Sequence, residues 1–117
     1  MTSLQARRGE VYYAVLDPVV GSETGKPRPV LIIQNDVGNQ YSPTTIVAVI
    51  TEYSEKKATY PICVVIGTDS GLKKNSIVNL SQIRTLDKSR LIGAKLATLP
   101  DELMEKVDMA LKNSLAL

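Results

Sequence analysis

The sequence contains no histidine, no tryptophan and no phenylalanine, and it has one cysteine among 117 residues. Histidine is the side chain most often used as a general acid or base near neutral pH. Its absence excludes a Ser-His-Asp triad, a Cys-His pair, a two-histidine nuclease and a histidine-ligated zinc site. Any catalysis must therefore use arginine, lysine, carboxylates, hydroxyls or the backbone.

Long apolar runs and paired cysteines are also missing. No run approaches the ~20 apolar residues that a membrane helix needs, and residues 1–8 are too polar for a signal peptide. Cys63 has no partner for an internal disulfide. Because it lies in an apolar run, we expect it to be buried as a small hydrophobic residue. These features predict a cytoplasmic protein with no membrane association.

The length of the chain predicts the number of domains, and its charge distribution predicts where the basic surface lies. A chain of 117 residues predicts one domain over 1–117, and Leu, Ile and Val supply most of its core. Residues 1–99 hold twelve Lys/Arg against eight Asp/Glu, whereas residues 100–117 hold two against four. The basic surface is therefore expected on the first part of the chain.

Short β-like runs fill most of the sequence. Residues 29–34 form a continuous apolar run typical of a central strand buried on both faces, and residues 44–51 are almost purely β-branched. Residues 19–29 are expected to form a loop and residues 36–43 a turn. Additional strands are predicted at 9–16, 62–66, 76–80 and 82–85. The short connections indicate an antiparallel sheet.

The C-terminal segment changes to a helical period. The apolar residues that carry this period are Leu103, Met104, Val107, Ala110, Leu111 and Leu115. Thr98 is the expected cap, Pro100 is expected in the first turn, and the acidic residues that follow favour the helix dipole. The predicted fold is mainly β with a C-terminal α-helix, an SH3-like antiparallel β-barrel, closed or half-closed.

Polar residues at the ends of the first strands form a candidate site. Arg28 stands between two prolines, which hold its backbone extended, and Thr51 ends the third strand. Arginine binds phosphate through paired N–H groups, and a threonine hydroxyl adds one more donor. Spacing alone equally allows solvated surface residues. The same two interpretations apply to Glu23 and to the lysine pairs at 56–57 and 73–74, whereas the tyrosines at 41, 53 and 60 could stack on bases or pack over the rim of the barrel.

The ordered set of segments resembles the MazF/PemK family of toxins over residues 8–117. The matching text is RGEVY at 8–12, PVVGSE at 18–23, RPVLIIQND at 28–36, SPT at 42–44 running on to Thr51, and LSQIRTLDKSRL at 80–91. Each piece alone is weak, but GSE, RPV and QIRT in this order are specific to the family. The QND and IRTLDK segments are similar to its bacillus-like branch.

The resemblance implies a sequence-specific endoribonuclease that leaves a 2′,3′-cyclic phosphate and a 5′-hydroxyl, with no metal and no cofactor. Carried over by motif, Arg28 contacts the scissile phosphate and Thr51 bonds a phosphoryl oxygen. Because arginine stays protonated in proteins, it is a poor base for the 2′-hydroxyl proton. Glu23 is the candidate for that role, and assistance by water or by Arg28 itself is the alternative.

Partners and RNA-reading residues are also implied by the resemblance. The expected partners are single-stranded mRNA, a second copy of the chain in a homodimer, and a cognate MazE-like antitoxin whose acidic tail folds on binding. The family is further associated with stress response and DNA binding. Unstacked bases are expected to be read by Gly21, Ser22, Lys26, Asn35, Asn39, Gln40 and Gln82.

Two alternatives belong to other functional classes. The same barrel occurs in CcdB-like gyrase-poisoning toxins, which bind a protein and cut no RNA, but these have no need of Arg28 with Thr51. A non-catalytic SH3-like binding module is the second alternative. Such modules commonly line their peptide groove with tryptophan and other aromatics, and this chain has no tryptophan or phenylalanine.

Overall fold

The computed structural model describes residues 5–16, 21 and 27–117. The strands are β1 (Glu10–Ala14), β2 (Arg28–Ile32), β3 (Thr44–Glu52), β4 (Cys63–Ile66), β5 (Ser76–Asp87) and β6 (Leu91–Thr98). The helices are α1 (Asp36–Tyr41) and α2 (Asp101–Leu115), and short 3₁₀ turns cover Lys57–Thr59, Thr68–Ser70 and Lys88–Arg90. No helix in the described part of the chain is long and apolar enough to cross a bilayer.

The strands form one antiparallel sheet in the order β4-β5-β3-β2-β1-β6. Its two outermost strands, β4 and β6, do not pair with each other among the described residues, so the sheet is open. The predicted class, mainly β and antiparallel with a C-terminal helix, is confirmed. Between the two barrel forms considered, the strand pairing rules out the closed one.

Both faces of the central strand β2 are buried, as its apolar run predicts. Leu31 belongs to a core cluster with Val11, Ile50 and residues of α2, whereas Val30 and Ile32 belong to a second cluster on the other face. All three β2 residues are fully buried. Because successive strand residues point to opposite faces, a strand between two cores must be apolar throughout.

The long strand β5 contains an irregularity. In the pairing of β3 with β5, Ala48 pairs with Ile83 but Val49 pairs with Asn79, so residues 80–82 stand out of the ladder. The side-chain oxygen of Asn79 accepts hydrogen bonds from the amide and the hydroxyl of Ser81 at 2.9 and 2.6 Å. The two separate strands predicted for this region are therefore one strand, interrupted by a bulge.

Helix α2 lies on the face of the sheet that carries the first core cluster. Met104, Val107 and Ala110 are its buried residues, as the sequence period predicts. The predicted cap at Thr98 is wrong, because Thr98 pairs with Glu10 at the end of β6. The helix begins after Pro100, whose carbonyl accepts from the amides of Leu103 and Met104 at 3.0 Å each.

Three local predictions differ from the structure. The segment expected to be a turn contains α1, because the Asn35 side chain accepts a 2.8 Å hydrogen bond from the Gly38 amide and caps the helix. Strand β6 was not expected, since only Leu91 and Ala97 of its residues are buried and no alternation marks it. Cys63 is partly buried rather than fully buried, and its burial raises the pKa of the thiol.

Candidate active site

The candidate site lies where β2 and β3 stop pairing. Their ladder ends at Val30 with Val49, and the same register continued by two residues sets Arg28 opposite Thr51. Pro29 stands at the point where the ladder ends, and a proline has no amide N–H with which to continue it. Two residues remote in sequence therefore meet at a gap in the sheet, on strands that are otherwise buried.

Arg28 is the first residue of β2, and its backbone pairs with Ala14 of β1. Its Nε atom is buried and has no hydrogen-bond partner among the described residues. Buried donors in folded proteins are nearly always paired, since an unpaired one costs about 1–3 kcal/mol. A guanidinium N–H that is buried without a partner can donate to an acceptor that enters the site.

Thr51 also carries a buried donor without a partner. Its Oγ1 atom is buried and unpaired in the described part of the chain, while its backbone pairs with Ile77 of β5. No other described side-chain atom is both buried and unpaired. The coincidence of these two donors at one gap is the strongest indication that an oxygen-bearing ligand binds here.

A cavity of about 410 Å³ opens beside the two residues. Its size lies at the lower end of the range for small-molecule sites, and it exceeds what one phosphate group requires. Its lining comes from every strand except β4, together with the segment before β5. The lining residues are Tyr13, Arg28, Pro29, Ile50, Thr51, Glu52, Gly71, Leu72, Lys73, Lys74, Ser76 and Leu96.

The electrostatic character of the cavity is cationic. Arg28, Lys73 and Lys74 contribute three positive charges, and Glu52 is the one carboxylate among the described lining residues. Glu52 lies 3.8 Å from Lys74, and both of these side chains are largely exposed. An anionic ligand is favoured, because the apolar walls weaken the screening of these charges by water.

Several predicted site residues cannot be placed. Ser22, Glu23 and Lys26 lie outside the described residues, so the structure assigns them no position. Gly21 is described and exposed, and its positive φ of 60° is a left-handed conformation that glycine adopts readily. The roles expected of these four residues therefore stay predictions.

The three predicted RNA-reading residues around α1 differ in accessibility. Asn35 and Gln40 are exposed, although the Asn35 side chain also caps the helix. Asn39 is buried, and its Nδ2 donates to the Gln34 carbonyl at 2.9 Å and to Asp36 at 3.2 Å. We conclude that Asn39 holds α1 against the sheet, which leaves Asn35 and Gln40 as the candidates for base contacts.

Gln82 lies in the β5 bulge and is partly buried. Bulges often redirect side chains next to binding sites. Gln82 does not line the cavity, so the structure does not bring it together with Arg28 and Thr51.

Sequence reasoning missed most of the cavity wall. Tyr13 and Leu96 are 44% and 41% exposed, and only the fold shows that they line the cavity. The lysine pair at 73–74 was noted in the sequence, but nothing there connects it to Arg28. In the described part of the chain, no three Cys, Asp or Glu side chains are grouped as metal ligands.

An open antiparallel sheet with a C-terminal helix and a cationic cavity defines a small protein whose site suits an anionic ligand. A family model described as "PemK-like, MazF-like toxin of type II toxin-antitoxin system" matches residues 7–115. The chain therefore belongs to the PemK-like and MazF-like toxin family. This confirms the resemblance read from the sequence.

Relatives agree with this assignment. The chain is 54% identical over 112 residues to the protein named Endoribonuclease EndoA of Bacillus subtilis (strain 168), covering 95% of each chain. It is similar to an endoribonuclease from a mycobacterial species, with a TM-score of 0.80 and 26% identity over 100% of this chain and 97% of the other. Neither the gyrase-poison nor the binding-module alternative is favoured by these relatives.

Two further solved structures resemble the chain. One is an endoribonuclease in complex with its cognate antitoxin from a mycobacterial species, with a TM-score of 0.79 and 28% identity over 96% of each chain. The other is MazF from Deinococcus radiodurans, with a TM-score of 0.82 and 22% identity over 98% of this chain and 100% of the other. At that identity the second likeness concerns the fold alone.

Proposed function

We propose that the chain is a sequence-specific, metal-independent endoribonuclease toxin that cuts single-stranded mRNA and is neutralised by a MazE-like antitoxin. Membership of the toxin family and 54% identity to a protein named an endoribonuclease support the activity. The observation that carries the site assignment is the pair of buried, unpaired donors, Arg28 Nε and Thr51 Oγ1, at one cationic cavity.

The proposed reaction is an internal transesterification. The ribose 2′-oxygen attacks the adjacent phosphorus, and the bond from phosphorus to the 5′-oxygen breaks. The 2′-hydroxyl proton passes to a base, and the leaving 5′-oxygen takes up a proton. The products are a 2′,3′-cyclic phosphate and a 5′-hydroxyl, and because the nucleophile belongs to the RNA, the step needs no metal-activated water.

Arg28 and Thr51 are the proposed catalytic residues. The guanidinium of Arg28 binds the non-bridging oxygens of the scissile phosphate, where negative charge grows in the transition state. The hydroxyl of Thr51 donates to a phosphoryl oxygen from the opposite strand. Both donors gain a partner only when the phosphate is in place, so the ligand relieves the cost of leaving them unpaired.

Glu23 is the proposed general base. A protonated arginine has no lone pair to accept the 2′-hydroxyl proton, and Glu23 belongs to the GSE motif, one of the segments that resemble the family. A Glu23→Gln variant keeps the size of the side chain and removes its basicity. We expect cleavage to slow by at least ~100-fold, and an unchanged rate would remove Glu23 from the mechanism.

The remaining features of the proposal concern recognition and assembly. Gly21, Ser22, Lys26, Asn35, Gln40 and Gln82 are the proposed RNA contacts. A homodimer would present two symmetric sites to one RNA groove. The cationic cavity suits the acidic tail of an antitoxin as well as RNA. We further propose a cytoplasmic location, a part in stress response, and DNA binding together with the antitoxin.

Cleavage of a diverse pool of single-stranded RNA in EDTA tests this function. The wild-type protein should cut at one short sequence, and sequencing of the fragments should reveal cyclic phosphate and 5′-hydroxyl ends. Arg28→Ala should leave the pool intact, and Lys56→Ala, an exposed charge that does not line the cavity, should cut like the wild type. An intact pool with the wild-type protein would contradict the proposal.

A further inference from the structure

The segment 71–74, which we call the strap, covers one side of the cavity and is fixed at its start. Gly71 has a φ of +108°, a conformation that suits glycine. A Cβ atom added there would lie 3.2 Å from Ala97 Cβ and 3.6 Å from the Leu96 carbonyl oxygen. The strap therefore runs close against β6, and the positive φ at this point favours glycine.

Two further contacts hold the strap in place. The Gly71 amide donates a 3.1 Å hydrogen bond to the Thr68 carbonyl and closes the preceding 3₁₀ turn. The next residue, Leu72, packs against the core cluster beneath α2. Lys73 and Lys74 are thus presented at the cavity by a backbone anchored just before them.

The two lysines differ in their electrostatic partners. Lys74 lies 3.8 Å from Glu52, a pair so exposed that it stabilises the protein little. Lys73 has no carboxylate within ion-pair distance in the described part of the chain, although it lines the same cavity. Within residues 5–16, 21 and 27–117, its charge is therefore uncompensated beside Arg28 and Thr51.

We propose that the strap is a second phosphate-binding element, in which Lys73 binds the phosphate next to the scissile one and Glu52 moderates the contribution of Lys74. This inference rests on the proposed function. The cavity of about 410 Å³ is larger than one phosphate requires, so it leaves room for a bound strand to extend beyond Arg28 toward the strap. A lysine suits this position, since it acts as a point charge and tolerates phosphates in several orientations.

Two variants with opposite charge changes follow from this assignment. Lys73→Gln removes one positive charge from the cavity and one phosphate contact, so RNA binding should weaken. Glu52→Gln removes the carboxylate that competes for Lys74, so RNA binding should strengthen. If Lys73 and Glu52 had only structural roles, the two substitutions would not change RNA affinity in opposite directions, because both side chains are exposed.

The test measures binding of an RNA that carries the cut sequence, with a 2′-deoxy nucleotide at the cleavage point so that it stays intact. Affinity is followed over a series of salt concentrations, because each phosphate contact on a single strand contributes about −0.7 to the slope of log K against log salt. Lys73→Gln should flatten the slope by about 0.7 and weaken binding by roughly 3- to 10-fold. Lys56→Gln removes the same charge outside the cavity and should leave the slope unchanged.

The outcomes separate this inference from the proposed function. If the wild-type protein cuts RNA and depends on Arg28, but Lys73→Gln behaves like Lys56→Gln, the strap assignment is overturned and the endoribonuclease stands. Weaker binding by Glu52→Gln would also overturn it. If the wild-type protein neither binds nor cuts RNA, the proposed function itself fails. Equal melting temperatures of the variants show that the fold is intact.

Discussion

The hydroxyl of Thr45 donates a 2.7 Å hydrogen bond to the side-chain oxygen of Asn39, and both residues are buried. The same oxygen accepts from Gln34 Nε2 at 3.1 Å. This network joins α1 to β3. The side-chain oxygen and nitrogen of Asn39 each make two hydrogen bonds within the protein. A residue expected to read RNA is instead part of the connection between helix and sheet.

The Asn39 network predicts a loss of stability. Asn39→Ala should lower the free energy of unfolding by about 2–3 kcal/mol, because it leaves the buried Thr45 hydroxyl without its acceptor and removes one of the two hydrogen bonds of Gln34 Nε2. The melting temperature should fall by roughly 10 °C. Gln40→Ala, on the exposed side of the same helix, should change stability by less than about 0.5 kcal/mol. Thermal unfolding followed by circular dichroism measures both, and equal effects would contradict the assignment.

Thr51→Val should separate stability from activity. Valine has nearly the shape of threonine but no buried donor to leave unpaired, so the RNA-free protein should be about 1 kcal/mol more stable. Cleavage should slow by roughly 10- to 100-fold, since a hydrogen bond to a charged phosphate is lost. Thr51→Ser, which keeps the hydroxyl, serves as the control for the rate. A destabilised but fully active Thr51→Val protein would refute the role of the hydroxyl.

Arg28→Lys tests whether charge alone is sufficient. Lysine keeps the positive charge but cannot offer two parallel N–H groups to one phosphate. Single-turnover cleavage by Arg28→Lys should be slower than the wild type by about 100-fold, while binding of uncleavable RNA should change much less. A near-normal rate would show that Arg28 acts only as a point charge.

Tyr12 gives a prediction for alkaline pH. Burial and the nearby Glu10 carboxylate raise the pKa of Tyr12 to about 12, and its hydroxyl donates a 3.1 Å hydrogen bond to Glu10. The folded protein holds this proton more tightly than the unfolded chain does. The resulting stability is complete below about pH 10 and is lost as the pH rises toward 12.

Two measurements check this behaviour. Absorbance titration of the tyrosinate band should show one late-titrating group that is missing in Tyr12→Phe. Urea unfolding should give the wild type a steeper loss of stability above about pH 10 than Tyr12→Phe. A late-titrating group that persists in Tyr12→Phe would contradict the raised pKa of Tyr12.

Much of the fold could be predicted because its signals are local. The apolar run of β2 and the β-branched run of β3 predict buried strands, and the helical period of α2 identifies Met104, Val107 and Ala110 as buried. Strand β6 gave no such signal, because an edge strand with most residues exposed has no alternation to detect. The sequence predicts two strands, at 76–80 and 82–85, and only strand pairing shows that they are one strand interrupted by a bulge.

The candidate site could be predicted only in part. The sequence makes Arg28 and Thr51 candidates by their places at strand ends, and the family resemblance gives them roles, but the register that sets them opposite each other depends on long-range pairing. Lys73 lines the same cavity because the strap packs against β6, a contact that no local pattern encodes. The burial of Asn39 could not be predicted, because an amide in a turn-like sequence looks the same whether it faces solvent or the core.

The prolines on either side of Arg28 have a consequence for the behaviour of the site on heating. Each ring fixes one backbone rotation in the unfolded chain as well as in the folded one, so this rigidity is covalent and does not depend on neighbouring contacts. Warming should therefore not loosen the backbone around the guanidinium before the sheet itself melts. Thermal inactivation should coincide with global unfolding, without an earlier phase in which a folded protein has lost its activity.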